Sequence, residues 1–371
     1  MEVHRLAHPG VSKIQPYVPG TPIEVIAKKR GMDPDFYIKL ASNENLMGSA
    51  PHALQAMISS IQAKGVNYYP ECSCAEVVQA LGGQIGLPQE RILMVNSSNE
   101  GINYVSRAFL GKGNEIVMSQ IAFPMYPIAA HYQDAQVVRV PNKGWHHDME
   151  AILAAITPNT RLVWLDTPNN PLGTIVSQSE MDTYFERVPN HVITVIDEAY
   201  DQYVESSDYP DSRVYQEKFQ AIVLRTFSKI YGLAGLRVGY LFAAPDIIET
   251  LHRVHAPFYM PDFLQAALYA AITQDQAFVT KTQEMNREGK KYLYAALEHL
   301  EISYVPTEAN FIFYPIKEEM STPAQVYERF FDFGIIVRPI GNLGIRVTIG
   351  LPEQNERFIS ALEEIHREGM I

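Results

Sequence analysis

Short runs of apolar and β-branched residues alternate with segments of helical periodicity through most of the chain before residue 262. This order is typical of parallel strands joined by helical crossovers. In the intervening segments 100–110, 149–156 and 180–186, apolar residues recur every three to four positions. We therefore predict an α/β fold with a large, doubly wound, mostly parallel sheet of seven strands. The predicted strands are residues 91–96, 115–119, 136–140, 161–166, 192–197, 221–226 and 236–243.

The pattern changes after residue 262 to longer helical segments, which predicts a second, smaller α+β domain. Short apolar runs interrupt these segments, and a helix from 353 to about 368 closes the chain; the runs are 302–305, 310–314, 335–338 and 345–349. A length of 371 residues is sufficient for two domains. The opening residues, with a candidate helix at 22–29, should dock onto the small domain or a partner subunit. The expected division is an N-terminal arm and part of the small domain (1–44), the large domain (45–262) and the C-terminal small domain (263–371).

Composition and charge argue against several classes of function. The net charge is −12, and no cluster of lysine and arginine forms the basic surface that nucleic-acid binding requires. The longest apolar runs have strand length, far below a membrane span. The N-terminus lacks the apolar core of a secretory signal, which predicts a cytoplasmic protein. Cys72 and Cys74 stand too close for an ordinary disulfide, and no histidine cluster has metal-ligand spacing, so we expect no metal.

Two predicted strands run into polar segments that could bind a ligand, because ligands of such sheets bind at the carboxyl ends of the strands. Residues 95–101 read V-N-S-S-N-E-G, where Ser98 and Asn99 open a helix whose free N–H groups favour a phosphate. Serine and asparagine are also ordinary helix caps, so this segment alone decides nothing. Residues 166–173, which include Asn170, form a turn and alone indicate only a bend.

Two further strand ends carry a carboxylate and an amine. Asp197 follows an apolar run and should be buried, where it needs a positive partner such as a protonated pyridine nitrogen; otherwise it caps the next helix. Lys229 lies between hydroxyl-bearing residues and a glycine-containing loop, with Arg237 eight residues on. A solvated lysine is the ordinary outcome. A desolvated one becomes a nucleophile that can condense with an aldehyde.

Taken together, the four segments resemble the fold-type I pyridoxal-phosphate enzymes, and more narrowly the histidinol-phosphate aminotransferase family. Further matches are P-Y-V-P-G at 16–20, K-L-A-S-N-E-N at 39–45, Y-P-E at 69–71 and R-V-T-I-G at 346–350. The resemblance extends over nearly the whole chain in the right order. It implies pyridoxal 5'-phosphate as cofactor, a homodimer with shared active sites, and an amino donor and a 2-oxo acid acceptor as substrates.

The resemblance also implies roles for individual residues. Lys229 would hold the cofactor as a Schiff base and shuttle the proton, and Asp197 would partner the pyridine nitrogen. Asn170 and Tyr200 would hydrogen-bond the phenolic oxygen of the ring. The remaining cofactor contacts would be Ser98, Asn99, Thr226, Ser228 and Arg237 around the phosphate, Phe123 stacked on the ring, and Tyr69 reaching the neighbouring subunit's cofactor. Substrate would be bound by Tyr17, Asn45, Arg338 and Arg346.

The family includes several activities, and the sequence leaves the choice among them open. The leading hypothesis is a histidinol-phosphate:2-oxoglutarate aminotransferase of histidine biosynthesis with a ping-pong mechanism. The alternatives are an aromatic amino acid aminotransferase, a phospho-amino-acid decarboxylase, and a non-catalytic binding protein on the same fold. Segments 257–262 and 339–344 depart from the family pattern, so the side chain that the enzyme prefers is not predicted.

Overall fold

A computed structural model describes residues 6–17, 20–317 and 319–371. The strands of this part are β1 (Ile38–Lys39), β2 (Ile92–Val95), β3 (Glu115–Ser119), β4 (Gln136–Val140), β5 (Thr160–Asp166), β6 (Ile193–Asp197), β7 (Ala221–Thr226), β8 (Gly239–Ala243), β9 (Phe311–Pro315), β10 (Ile335–Ile336), β11 (Arg338–Ile340) and β12 (Gly344–Thr348). The α-helices are α1 (Ile23–Arg30), α2 (Pro51–Lys64), α3 (Ala75–Ile85), α4 (Ser97–Phe109), α5 (Met125–Tyr132), α6 (Met149–Ala154), α7 (Gln178–Arg187), α8 (Ser212–Lys218), α9 (Pro245–His252), α10 (Asp262–Gln274), α11 (Gln276–His299), α12 (Pro323–Phe330) and α13 (Pro352–Arg367).

The seven predicted strands form one sheet, in the order β2-β8-β7-β6-β5-β3-β4. All neighbours pair in parallel except β8, which is antiparallel to both β2 and β7. The prediction of a mostly parallel seven-stranded sheet is therefore confirmed. The largest difference in bounds is at β8, which begins at Gly239 and not at 236, because Ala234–Leu236 form a 3-10 turn and Arg237 adopts a φ of 53°.

Helices cover both faces of this sheet, as a doubly wound fold requires. Alternate residues of β7 contact opposite layers: Ile222 and Leu224 pack with α4, α5 and α9, whereas Val223 packs with α3, α7 and α10. Because both faces are covered, the central strands are largely apolar. The polar residues Asp166, Asp197 and Thr226 stand at the carboxyl ends of β5, β6 and β7.

A second sheet lies in the C-terminal part, with the antiparallel order β11-β12-β9. The predicted run 302–305 forms only a bridge between Val305 and Phe313. Run 335–338 is divided, because β10 pairs in parallel with β1 while β11 pairs with β12. Helix α1 packs through Ile26 and Ala27 on Phe331, so this helix docks on the C-terminal part as predicted. Residues 9–13 instead lie against α5 of the large sheet, where Lys13 Nζ donates to Asp134 Oδ1 at 2.9 Å. No helix in the described ranges has the length and hydropathy needed to cross a membrane.

Candidate active site

A cavity of about 910 Å³ opens at the carboxyl ends of β5, β6 and β7, where the two sheets face each other. Thirteen of the predicted site residues line it, although they come from segments far apart in sequence. They are Tyr17, Ser98, Asn99, Phe123, Asn170, Asp197, Tyr200, Thr226, Ser228, Lys229, Arg237, Arg338 and Arg346. The strand ends that the sequence marked as candidate ligand sites therefore meet in one place.

Lys229 carries the amine of this cavity. It follows β7, and its Nζ donates to the carbonyl oxygen of Ser42 at 3.2 Å and lies 5.6 Å from the ring centroid of Tyr200. Burial lowers the pKa of Lys229 to about 7, and the nearby charge of Arg346 adds to the decrease. Near neutral pH an amine with this pKa is unprotonated in about half of the molecules, far more often than an ordinary lysine, which makes it a competent nucleophile.

Two buried carboxylates end neighbouring strands, because Asp166 of β5 and Asp197 of β6 are paired in register. Burial, followed by the charge of Asp166, raises the pKa of Asp197 to about 7. The Asp197 carboxylate accepts from Tyr126 Oη at 2.9 Å and from the Ala199 amide at 3.2 Å. It caps no helix, since Tyr200 precedes the next helical turn. No described lysine, arginine or histidine pairs with it, so a protonated ring nitrogen fits beside it.

The hydroxyl of Tyr200 is the centre of a second group of contacts. It accepts hydrogen bonds from Asn43 Nδ2 at 2.8 Å and from Asn170 Nδ2 at 3.4 Å. Asn43 has a φ of 54°, and its side chain is buried between the two sheets. Amide and phenol groups held in this way can orient a ring oxygen of a bound cofactor.

The start of α4 can hold a phosphate. Asn96 precedes the helix but donates its Nδ2 to the Tyr259 carbonyl at 3.0 Å and does not cap the helix, so the first-turn N–H groups need another acceptor. β8 passes close by: a Cβ on Gly239 would lie 2.8 Å from the Ser98 nitrogen, so only glycine fits there. Arg237, with a φ of 53°, faces the same cavity. An anion site made of amides, hydroxyls and a guanidinium suits the phosphate of pyridoxal phosphate.

Two arginines of the second sheet form the opposite wall. Arg346 of β12 pairs in register with Arg338 of β11, and the Arg338 guanidinium lies 5.9 Å from the ring centroid of Tyr17. Arg346 Nη2 donates to the Ala41 carbonyl at 2.8 Å, whereas its buried Nε has no hydrogen-bond partner in the part of the chain that the structure describes. Among the described residues, no carboxylate forms an ion pair with Arg346. Burial lowers the pKa of Arg346, so an incoming anion would supply its missing counter-charge.

Comparison with known proteins identifies the family. The family model of class I and II aminotransferases matches residues 36–362. The chain belongs to the class I and II aminotransferases. One curated relative of this aminotransferase is the histidinol-phosphate aminotransferase of Moorella thermoacetica, which is 43% identical, with 96% of this chain and 92% of that protein covered. Another is histidinol-phosphate aminotransferase 2 of Pseudomonas fluorescens (strain Pf0-1), which is 39% identical, with 98% of each protein covered. The crystal structure of histidinol-phosphate aminotransferase from Sinorhizobium meliloti in complex with pyridoxal-5'-phosphate shares the fold, with a TM-score of 0.88, 23% identity and 97% of each chain covered.

The resemblance drawn from the sequence is thus confirmed, and the protein is a pyridoxal-phosphate-dependent aminotransferase. Two predicted site residues of this aminotransferase do not line the cavity. Asn45 donates its Nδ2 to the Ile230 carbonyl at 2.9 Å and to Thr282 Oγ1 at 3.1 Å, so it braces the segment after Lys229. Tyr69 is 82% exposed, with its ring 4.7 Å from that of Phe258.

The segments that depart from the family pattern are placed differently from each other. Residues 257–262 are not among the described residues that line the cavity. The hydroxyl of Tyr259, in this segment, lies 3.4 Å from Cys74 Sγ. Residues 339–341 and Leu343 do line it. Variation in the second segment can therefore act directly on a bound substrate.

Sequence reasoning missed three residues of the site, namely Asn43, Tyr126 and Asp166. Asn43 lay within the family match 39–45, and Tyr126 is three positions after Phe123. Asp166 opened the turn 166–173 but carried no assigned role. The sequence around these residues indicated where they lie in the chain but not which side chains they contact.

Proposed function

We propose that this aminotransferase exchanges an amino group between histidinol phosphate and 2-oxoglutarate by a ping-pong mechanism. The observation that carries the proposal is the buried guanidinium of Arg346, which faces the Lys229 cavity without a carboxylate partner in the described residues. Histidinol phosphate and glutamate both present an anionic group next to the reacting amine, a phosphate in one and an α-carboxylate in the other. One arginine can serve both, because its planar fork binds either group bidentately. The names of the relatives support the same substrate.

Pyridoxal phosphate, when bound, supplies an aldehyde that condenses with amines and a ring that withdraws electrons from the substrate carbon. We assign the residues that hold it by the contacts already described. Asp197 would place a negative charge beside the ring nitrogen, and Asn170 and Tyr200 would hydrogen-bond the ring oxygen. The phosphate would lie at the start of α4 with Ser98, Asn99, Thr226, Ser228 and Arg237, and Phe123 would cover the ring face.

Lys229 would be both the point of attachment and the proton carrier. Its Nζ has a pKa of about 7. It can therefore accept the proton from the substrate carbon and return it without a large free-energy cost for either transfer. Tyr17 and Arg338 lie beside Arg346 and would help to hold the substrate anion. Asn45 would support substrate binding only indirectly, through the segment that carries Lys229.

The proposal includes a homodimer in the cytoplasm. Exposed apolar side chains lie along α2 at Leu54, Ile58 and Ile61, and the exposed Tyr69 lies beyond the end of that helix. An exposed apolar surface of this kind indicates a protein partner. In such a dimer Tyr69 would reach the cofactor phosphate of the neighbouring subunit. We further propose the division of the chain into 1–44, 45–262 and 263–371. A separate apolar cluster around the C-terminal sheet supports a small domain, whereas α10 packs in the cluster of the large sheet.

The test is a comparison of amino donors. Purified enzyme is supplied with histidinol phosphate, phenylalanine or tyrosine, each with 2-oxoglutarate, and kcat/KM for glutamate formation is measured. We expect histidinol phosphate to exceed both aromatic donors by at least about tenfold. Unphosphorylated histidinol is the matched control, and its kcat/KM should fall by about 100-fold because the arginine wall loses its anion. Higher values for phenylalanine or tyrosine would assign the enzyme to aromatic amino acids instead.

A further inference from the structure

The carboxylate of Asp166 joins two loops of the site that lie far apart in sequence. Its Oδ2 accepts from the Phe123 amide at 3.2 Å and from the Asn170 amide at 2.9 Å. Its Oδ1 accepts from Asn169 Nδ2 at 3.1 Å. Phe123 lies in the loop between β3 and α5, and Asn170 lies in the loop after β5. One buried side chain therefore fixes the backbone of both loops.

The backbone of Asp166 is also held in place by hydrogen bonds. The carbonyl oxygen of Asp166 can only accept, so His147 Nε2, at 2.9 Å, is the donor. His147 Nδ1 must then accept from Ser119 Oγ at 2.6 Å. Burial lowers the pKa of His147, which agrees with a neutral ring in this single tautomer. The end of β5 is thereby tied to the end of β3.

We propose that Asp166 is a positioning residue whose carboxylate sets the separation of Phe123 and Asn170, two residues that line the cofactor cleft. The inference rests on the roles proposed above for those two residues. A buried carboxylate beside Asp197 is costly, and burial raises the pKa of Asp166 to about 7. Three donors to the Asp166 carboxylate offset this cost. An apolar residue at this position would leave the two loop amides without acceptors.

The test measures retention of the cofactor by the holoenzyme. Loss of visible absorbance after dilution gives the rate of cofactor release, and it is compared for wild type, Asp166→Ala and Asp166→Asn. We expect release from Asp166→Ala to be at least about tenfold faster, with a lower kcat and a KM for the amino donor that changes less than about threefold. Asp166→Asn keeps one oxygen that can accept from both loop amides, so its release rate should return most of the way to that of wild type.

A matched control separates positioning from general destabilisation. Asp275 is also buried and accepts from the amides of His52 at 3.1 Å and Ala53 at 3.0 Å, but it caps α2 away from the cavity. Asp275→Ala should lower the melting temperature and leave cofactor release unchanged. Wild-type release from Asp166→Ala would overturn the inference. Equal release rates for Asp166→Asn and Asp166→Ala would also overturn it, because the charge of the carboxylate, and not its hydrogen bonds to the two loops, would then determine cofactor retention. Neither result depends on which amino donor the enzyme prefers.

Discussion

Arg346 Nη1 donates a hydrogen bond to Asn170 Oδ1 at 2.5 Å, which joins the C-terminal sheet to the loop after β5. The amide nitrogen of the same Asn170 side chain donates to Tyr200 Oη. The residue proposed to bind the substrate anion is thus connected to the pair proposed to orient the cofactor ring. Binding of an anion at Arg346 should therefore also affect the position of the ring contacts.

Replacement of Arg346 tests its role as the anion site. Arg346→Ala should reduce kcat/KM by about 100-fold or more for both histidinol phosphate and glutamate, because each substrate loses a charge-assisted bidentate contact. Arg346→Lys keeps the charge without the planar fork and should lie between that variant and wild type. Exposed Arg253, paired with Glu249 on α9, provides the control Arg253→Ala, which should leave both values unchanged. A loss confined to one substrate would contradict a shared anion site.

The pKa of Lys229, about 7 against 10.5 for an ordinary lysine, predicts a pH profile. The amine reacts only when unprotonated, so cofactor incorporation into the cofactor-free enzyme should rise with pH through 7 and then level off. Arg346 lowers this pKa, and Arg346→Gln should therefore move the profile to higher pH. Rates of absorbance growth between about pH 5.5 and 9.5 provide the measurement. A rate that still increases at the top of this range in wild type would show an unperturbed lysine.

Much of the fold and the site was predictable because the signals are local. Six of the seven strands of the large sheet are almost wholly buried, so their apolar runs stand out in the sequence, and only the edge strand β4 is partly exposed. Lys229 and Asp197 follow such runs directly and could be placed at a sheet edge. The division between β10 and β11 was not predictable, since one continuous apolar run changes its partner from β1 to β12.

The parts of the site that the sequence did not predict depend on contacts between residues far apart in the chain. Asn43 and Tyr200 are 157 positions apart, and Tyr126 and Asp197 are 71 apart. Nothing in the sequence around Tyr126 distinguishes its hydroxyl from that of other buried tyrosines. Only the folded arrangement shows which carboxylate each hydroxyl or amide meets.

Tyr126 provides a second test of the ring-nitrogen site. Its hydroxyl donates to Asp197 Oδ2, and this hydrogen bond lowers the pKa of Asp197 against the larger effect of burial. Tyr126→Phe should therefore raise the pKa of Asp197 and weaken cofactor binding by about tenfold. Tyr184→Phe is the control, since that buried hydroxyl bonds Thr194 at 2.8 Å inside the core. Equal cofactor dissociation constants for the two variants would show that the Tyr126 contact is only structural.

Mixing of inactive variants tests whether Tyr69 acts across a dimer. If it does, a dimer of one Lys229→Ala subunit and one Tyr69→Ala subunit contains one intact site, with Lys229 from the second subunit and Tyr69 from the first. Random exchange of subunits should then restore about a quarter of wild-type activity. Activity that stays at the mean of the two separate variants after exchange would place Tyr69 outside the partner's site.

The central claim is that the cofactor is attached to Lys229, and the most direct measurement is to locate it on the chain. The holoenzyme is reduced with borohydride and digested, and mass spectrometry identifies the modified peptide, with Lys229→Ala as the control. We predict that the reduced cofactor is found on Lys229 alone, and that Lys229→Ala carries none and loses at least about a thousandfold in kcat. Attachment at another lysine, or wild-type turnover by Lys229→Ala, would contradict the account.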